Sequence, residues 1–159
     1  MELYVYRHAM MDTSKNDSSG KEGPGLSDFG RSQIEKLQSL VGILGLKPGV
    51  VLTSPMKRAR ETAELAVKMF WVQSRIVETD KLLPKASIPQ LYEEINSFGK
   101  EKQIVVVTHY PLIKELLSSA LGTDFGPELL NGSLLRIDFK GRASRGKGKL
   151  VSIISPPTD

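Results

Sequence analysis

Four consecutive β-branched residues, Ile104-Val105-Val106-Val107, limit what this chain can become. A strand with one wet face alternates apolar and polar side chains. This run does not alternate, so both of its faces need cover. Such strands belong to parallel sheets clothed by helices, and the run commits its neighbourhood to a layered α/β architecture. The rest of the chain keeps the same grammar. Leu3 to Tyr6 and Val50 to Leu52 are further apolar strand runs, and Ile76-Val77 begins a short third one. Between them lie helical periods. Ser27 caps a helix whose face is Ile34, Leu37, Val41 and Leu44, and Gly45 stops it before the Pro48-Gly49 turn. Met56 to about Met69 carries Ala59, Ala63, Ala66 and Phe70 on one face. Ile88 to Ser97 presents Leu91, Tyr92 and Ile95, and Pro111 to Leu121 presents Ile113, Leu116, Leu117 and Ala120. Leu134 to Phe139 and Leu150 to Ile154 read as a closing β-hairpin. The expected fold is α/β: a three-layer sandwich with a mostly parallel central sheet, helices on both faces and a C-terminal β-hairpin. With 159 residues, one domain over 1–159 has room for a sizeable core.

Bulk composition excludes several classes. No apolar stretch approaches the length of a bilayer span, and Glu2 and Arg7 argue against a signal peptide, so no membrane association is expected. With no cysteine there is no disulfide framework or thiolate metal site, and a cytoplasmic location is the default. The formal charge of +4 is local: "KGRASRGKGK", Lys140 to Lys149, holds five basic residues and no acidic one, and without it the chain would carry −1. That loop reads first as a solvated hairpin tip and second as a patch for an acidic partner. Nucleic acid is disfavoured because no aromatic residues are interleaved with it to stack on bases.

In sheets of this kind ligands bind beyond the carboxyl ends of the strands. There the sequence is chemically unusual. "YVYRHA" ends a strand on Arg7 and His8; "VVLTSPMKRARETA" leads from a strand into Arg58; "IVVVTHYPLI" ends on His109. Two basic residues at a strand exit are costly to desolvate unless an anion meets them. Ser54 is placed to cap the second helix with Pro55 in its first position, which puts Arg58 near the helix amino terminus, where anions are favoured. A lone histidine at a strand exit is more often a hydrogen-bonded structural residue. The chain's only two histidines, together with two of its arginines, all at carboxyl edges, are harder to dismiss. A metal site would need more N, O or S ligands than this and would suffer from the adjacent arginines, so neither metal nor cofactor is expected.

"RHA", "LSDFGRSQ", "TSPMKRARETA" and "VVVTHYP" together, in this order, resemble the motif series of the histidine phosphatase superfamily, the phosphoglycerate mutase-like fold. Among its members the short chain most resembles small phosphohistidine phosphatases of the SixA type. The resemblance implies that His8 is a nucleophile that becomes phosphorylated, and that Arg7, Arg58 and His109 hold the phosphoryl oxygens. A hydrogen bond from the other His8 ring nitrogen to a backbone carbonyl would fix the required tautomer.

Two departures stand out. Ala9 occupies a position where many relatives have glycine, which raises the question of a positive φ. The general acid that mutases and broad phosphomonoesterases place after the third strand falls here on Pro84, leaving Asp80 and Glu78 as weak candidates and Asp12 and Asp17 as weaker ones. Expelling an alkoxide benefits from an acid by about 10²–10⁴-fold, whereas imidazole departs more readily. The expectation is therefore a metal-independent phosphatase for a phosphohistidine-bearing protein. The alternatives are a phosphatase for a small phosphorylated substrate or, from another class, a non-catalytic phosphate-recognition module.

Overall fold

The computed structural model describes residues 1–14 and 22–157. It builds a six-stranded sheet from β1 (Glu2–Arg7), β2 (Val50–Thr53), β3 (Arg75–Glu78), β4 (Gln103–Thr108), β5 (Leu134–Phe139) and β6 (Gly148–Ile154). The strand order is β3-β2-β4-β1-β5-β6. The first four strands are parallel, and β5 and β6 add an antiparallel edge. The helices are α1 (Asp28–Leu44), α2 (Lys57–Met69), α3 (Ile88–Ser97) and α4 (Leu112–Leu121).

The unbroken apolar strands have the predicted consequence. Strand side chains point alternately to opposite faces, and two separate cores result. Leu3, Val5, Leu52, Ile104 and Val106 face Leu91 and Ile95 of α3 and Leu112, Ile113 and Leu116 of α4. Tyr4, Tyr6, Val51, Val105 and Val107 face Ile34, Leu37 and Val41 of α1 and Ala59, Ala63 and Ala66 of α2. The alanine stripe of α2 lets that helix lie close to the sheet, so residues at its first turn reach over the strand ends. Among the described residues no helix is long and apolar enough to cross a membrane.

α1 begins and ends as its sequence dictates. The Ser27 side chain accepts from the Gly30 N–H, and Gly45 closes the helix with φ at 63°. α2 differs from expectation: its amino-terminal cap is Met56, without a side-chain hydrogen bond, and the helix starts at Lys57. Ser54 is instead drawn toward His109, as described below. β3, whose side chains are largely exposed, runs from Arg75 rather than Ile76, and β6 starts two residues before Leu150. These short edge extensions carry polar residues or glycine, which leave no apolar signature in sequence.

Candidate active site

The strand register decides which side chains can meet. Arg7 at the end of β1 pairs with Thr108 at the end of β4, and Thr53 at the end of β2 pairs with Val107. The chain therefore leaves three adjacent strands at one edge, and the residues that follow are His8, Ser54 and His109. The two imidazole rings lie 5.3 Å apart between centroids, and both histidines are almost completely buried. Arg58, in the first turn of α2, places its Nε 3.3 Å from His8 Nε2. Arg7 lies over the Tyr110 ring, 4.8 Å from its centroid. All four residues singled out from sequence thus share one edge, and the arginines are close enough to depress both imidazole pKa values.

The orientation of His8 follows from its partners. Nδ1 lies 2.7 Å from the carbonyl oxygen of Ala9. A carbonyl can only accept, so Nδ1 carries the proton. Burial, reinforced by Arg58 and Arg7 and only partly offset by that carbonyl, lowers the His8 pKa from 6.5 to about 4. The ring is neutral at physiological pH, and Nε2 carries a lone pair directed at Arg58. The surrounding backbone is fully tied: the His8 N–H donates to the Thr108 carbonyl, and Asn131 Nδ2 donates to the His8 carbonyl. Thr62 accepts from the Ala9 N–H and donates its own hydroxyl proton to the Arg58 carbonyl. Ala9 has no positive φ and is completely buried, so alanine fits this turn without strain.

His109 is set up in a complementary way. Its Nε2 lies 2.7 Å from Ser54 Oγ, which itself accepts from the Met56 N–H. The hydroxyl oxygen has a second lone pair, so this contact serves either neutral tautomer of His109. Desolvation first, then Arg58, His8 and Arg7, lower the His109 pKa to about 3. Nδ1 is buried and has no hydrogen-bond partner among the described residues, and the same holds for Arg7 Nε. A buried polar atom without a partner costs the loss of its hydration; Tyr6 Oη and Trp71 Nε1, in the core on the α1 side, are the other such buried atoms among the described residues. The Arg58 guanidinium, also pushed down by burial, starts so high that it stays charged.

The segment before β5 closes around Arg7. Arg7 Nη1 donates to the Leu129 carbonyl and contacts Glu128 Oε1 at 3.3 Å, while the Leu129 N–H donates to the Tyr110 hydroxyl. Gly23, from the loop after β1, lies so close that a Cβ there would be 3.2 Å from an Arg58 terminal nitrogen. Ser54, Thr62, Tyr110, Glu128 and Asn131 were not legible as site residues. Ser54 reads only as a helix cap, Tyr110 follows His109 at the strand end without a charge to mark it, and Thr62, Glu128 and Asn131 carry no strand-end signal. Of the proposed acids, Glu78 sits 3.7 Å from Arg60, which also holds Glu22 and Glu64. Asp80 opens a 3₁₀ turn, Asp12 accepts from Ser14, and Asp17 lies outside the described residues.

Residues 3–82 match the model of the histidine phosphatase superfamily (branch 1). The chain belongs to this superfamily. The matched span contains Arg7, His8 and Arg58; His109 reaches them through the sheet register. No curated protein sequence matches the chain. Among solved structures it is similar to the protein histidine phosphatase SixA complexed with tungstate, with 17% identity and a TM-score of 0.85 over 98% of this chain and 97% of that one. It is similar to the alpha-ribazole phosphatase from Shigella flexneri, with 14% identity and a TM-score of 0.70 over 96% of this chain and 100% of that one. It also resembles a phosphoserine phosphatase mutant from Entamoeba histolytica in complex with phosphoserine, with 16% identity and a TM-score of 0.68 over 96% and 95%. These likenesses establish a histidine phosphatase fold along almost the whole chain.

Proposed function

We propose that this histidine phosphatase removes phosphate from phosphohistidine on a protein, through a covalent phosphohistidine at His8. The observation that carries the reading is the neutral His8 ring with its Nε2 lone pair beside Arg58, next to two buried nitrogens without hydrogen-bond partners. A phosphoryl group supplies acceptors: its oxygens would accept hydrogen bonds from Arg7 Nε and from the Nδ1–H tautomer of His109, and draw the Arg58 guanidinium away from His8. That movement frees the lone pair at the moment an electrophilic phosphorus is in place. Arginine suits the task because its planar fork meets phosphate oxygens in pairs and keeps its charge.

In the first step Nε2 of His8 bonds to phosphorus and the bond from phosphorus to the substrate nitrogen breaks. The substrate imidazole, protonated on its other nitrogen, leaves neutral. His8 keeps its Nδ1 proton on the Ala9 carbonyl and becomes a phosphoimidazolium. In the second step water attacks phosphorus, the P–N bond breaks, orthophosphate forms, and His8 returns to its neutral state. Moving phosphate between two imidazoles is nearly balanced in energy.

The substrate assignment rests on the leaving group. Pro84 stands at the usual acid position, Glu78 is held by Arg60, and Asp80 opens a 3₁₀ turn. An imidazole departs without the assistance that an alkoxide needs. In direct competition a phosphohistidine peptide is expected to be consumed ahead of phosphoserine and a sugar phosphate. Preference for either ester would transfer the assignment to small phosphomonoesters. Arg58→Ala is expected to lower turnover by about 10²–10³-fold if the guanidinium stabilises the transition state.

A further inference from the structure

The loop joining β5 to β6 lies at the other end of the sheet. Glu2, at the start of β1, pairs with Asp138 near the end of β5, whereas Tyr6 pairs with Leu134. The loop is therefore separated from the catalytic edge by the length of β1, roughly 20 Å at strand rise. Its residues enclose a cavity of about 660 Å³ lined by Lys140, Arg142, Lys147 and Lys149, with Ser144 and Asp138. Asp138 is the one carboxylate in that lining, and both its oxygens are taken by Arg136, at 2.8 and 3.0 Å. None of the four cationic side chains has an ion pair or hydrogen bond among the described residues.

Four like charges around one concavity repel each other, and a free loop would splay to separate them. This loop is pinned. The Ala143 N–H donates to Asn96 Oδ1 and Asn96 Nδ2 donates to the Ala143 carbonyl, both at 2.8 Å, while the Gly146 N–H donates to the Ser119 carbonyl at 2.8 Å. Ala143 is buried, so α3 and α4 hold the loop backbone from beneath. The cations are thus presented on a preorganised frame, whose ordering is already complete before any ligand arrives.

We propose that this groove binds a polyphosphate chain, either free or carried by a nucleotide. The volume lies within the roughly 300–1,000 Å³ of small-ligand pockets, which favours a compact polyanion over a flat macromolecular surface. A single tetrahedral anion would meet only part of the cation set, whereas linked phosphates place a negative charge at each unit. The one aromatic residue in the lining, Phe139, is buried at 3% exposure, so no ring is available to stack on a base. Recognition is by charge alone.

The test is calorimetric titration of the full chain, at fixed ionic strength, with inorganic tripolyphosphate, ATP and a single-stranded oligonucleotide. Two double variants, K140Q/R142Q and K147Q/K149Q, change only exposed side chains, and each is expected to weaken tripolyphosphate by ~tenfold or more. Turnover of a small phosphorylated substrate should be unchanged in both, which separates this groove from the catalytic pocket. Equal binding of ATP and tripolyphosphate means that the chain of phosphates is read whatever carries it; binding of tripolyphosphate alone restricts the ligand to the inorganic form. Tighter binding of ATP that is lost in the double variants assigns the nucleotide-borne chain as the ligand. The proposal is overturned by absence of binding, by unchanged affinity in the double variants, or by an oligonucleotide that binds much more tightly than tripolyphosphate and ATP.

Discussion

At the scale of single residues, the site is governed by what burial does to two imidazoles. Both would titrate near 6.5 in an unfolded chain, but in the fold His8 stays neutral down to about 4 and His109 down to about 3. Between those values the unfolded chain holds more protons than the folded one, so stability must fall as pH falls. The loss is expected to begin just below pH 6.5, to slow below about 4 as His8 takes its proton, and to end near 3. Above about 6.5 neither histidine contributes to the pH dependence. Urea unfolding across this range checks the sign, and His109→Gln should flatten the acid limb. A stability profile that is level from neutral pH down to about 5 would contradict the buried, neutral assignment. The same depression keeps His8, the proposed nucleophile, unprotonated in mildly acidic solution, so the proposed chemistry is not limited by its own titration there.

At the scale of elements, the strand exits and helix starts act as a unit, and this is where sequence and structure part company. The strands were legible because an apolar run such as Ile104 to Val107 admits one environment, and α1 because Ser27, its 3.6-residue period and Gly45 agree with each other. Arg7, His8, Arg58 and His109 were legible because charge at a strand exit demands a reason. Ser54 was misread. Local propensity favours serine as a helix cap, but His109 arrives from a strand 55 residues away and takes its hydroxyl. Nothing within a short window encodes that contact. Glu128 and Asn131 were invisible for the same reason, since they act through β1 from beyond α4. The Ser54 role has a measurable consequence. Ser54→Ala leaves the buried Nε2 of His109 without a partner, which is expected to cost about 1–3 kcal/mol of stability. Activity should fall as well, because the ring loses the bond that orients it. Stability equal to that of the parent chain in urea would show that Ser54 is no more than a turn residue.

At the scale of the whole molecule, a sheet covered on both faces separates two tasks. The carboxyl edge gathers the imidazoles and guanidinium groups, and the two apolar cores beneath fix the strand register that brings them together. Core truncation should therefore weaken the fold before it alters the chemistry. Ile104→Ala, at a completely buried position on β4, is expected to cost about 2–5 kcal/mol in urea unfolding, with the folded fraction retaining its turnover. The opposite edge, with its pinned basic loop, is free to serve a different ligand. What unites the account is phosphoryl transfer onto one ring, and intact-protein mass spectrometry of a rapidly quenched reaction addresses it directly. During turnover of a phosphohistidine peptide, the chain should gain one phosphoryl group that is acid-labile and maps to His8, and His8→Ala should show neither the adduct nor turnover. Turnover that persists in His8→Ala, or a label that maps to another residue, would contradict it.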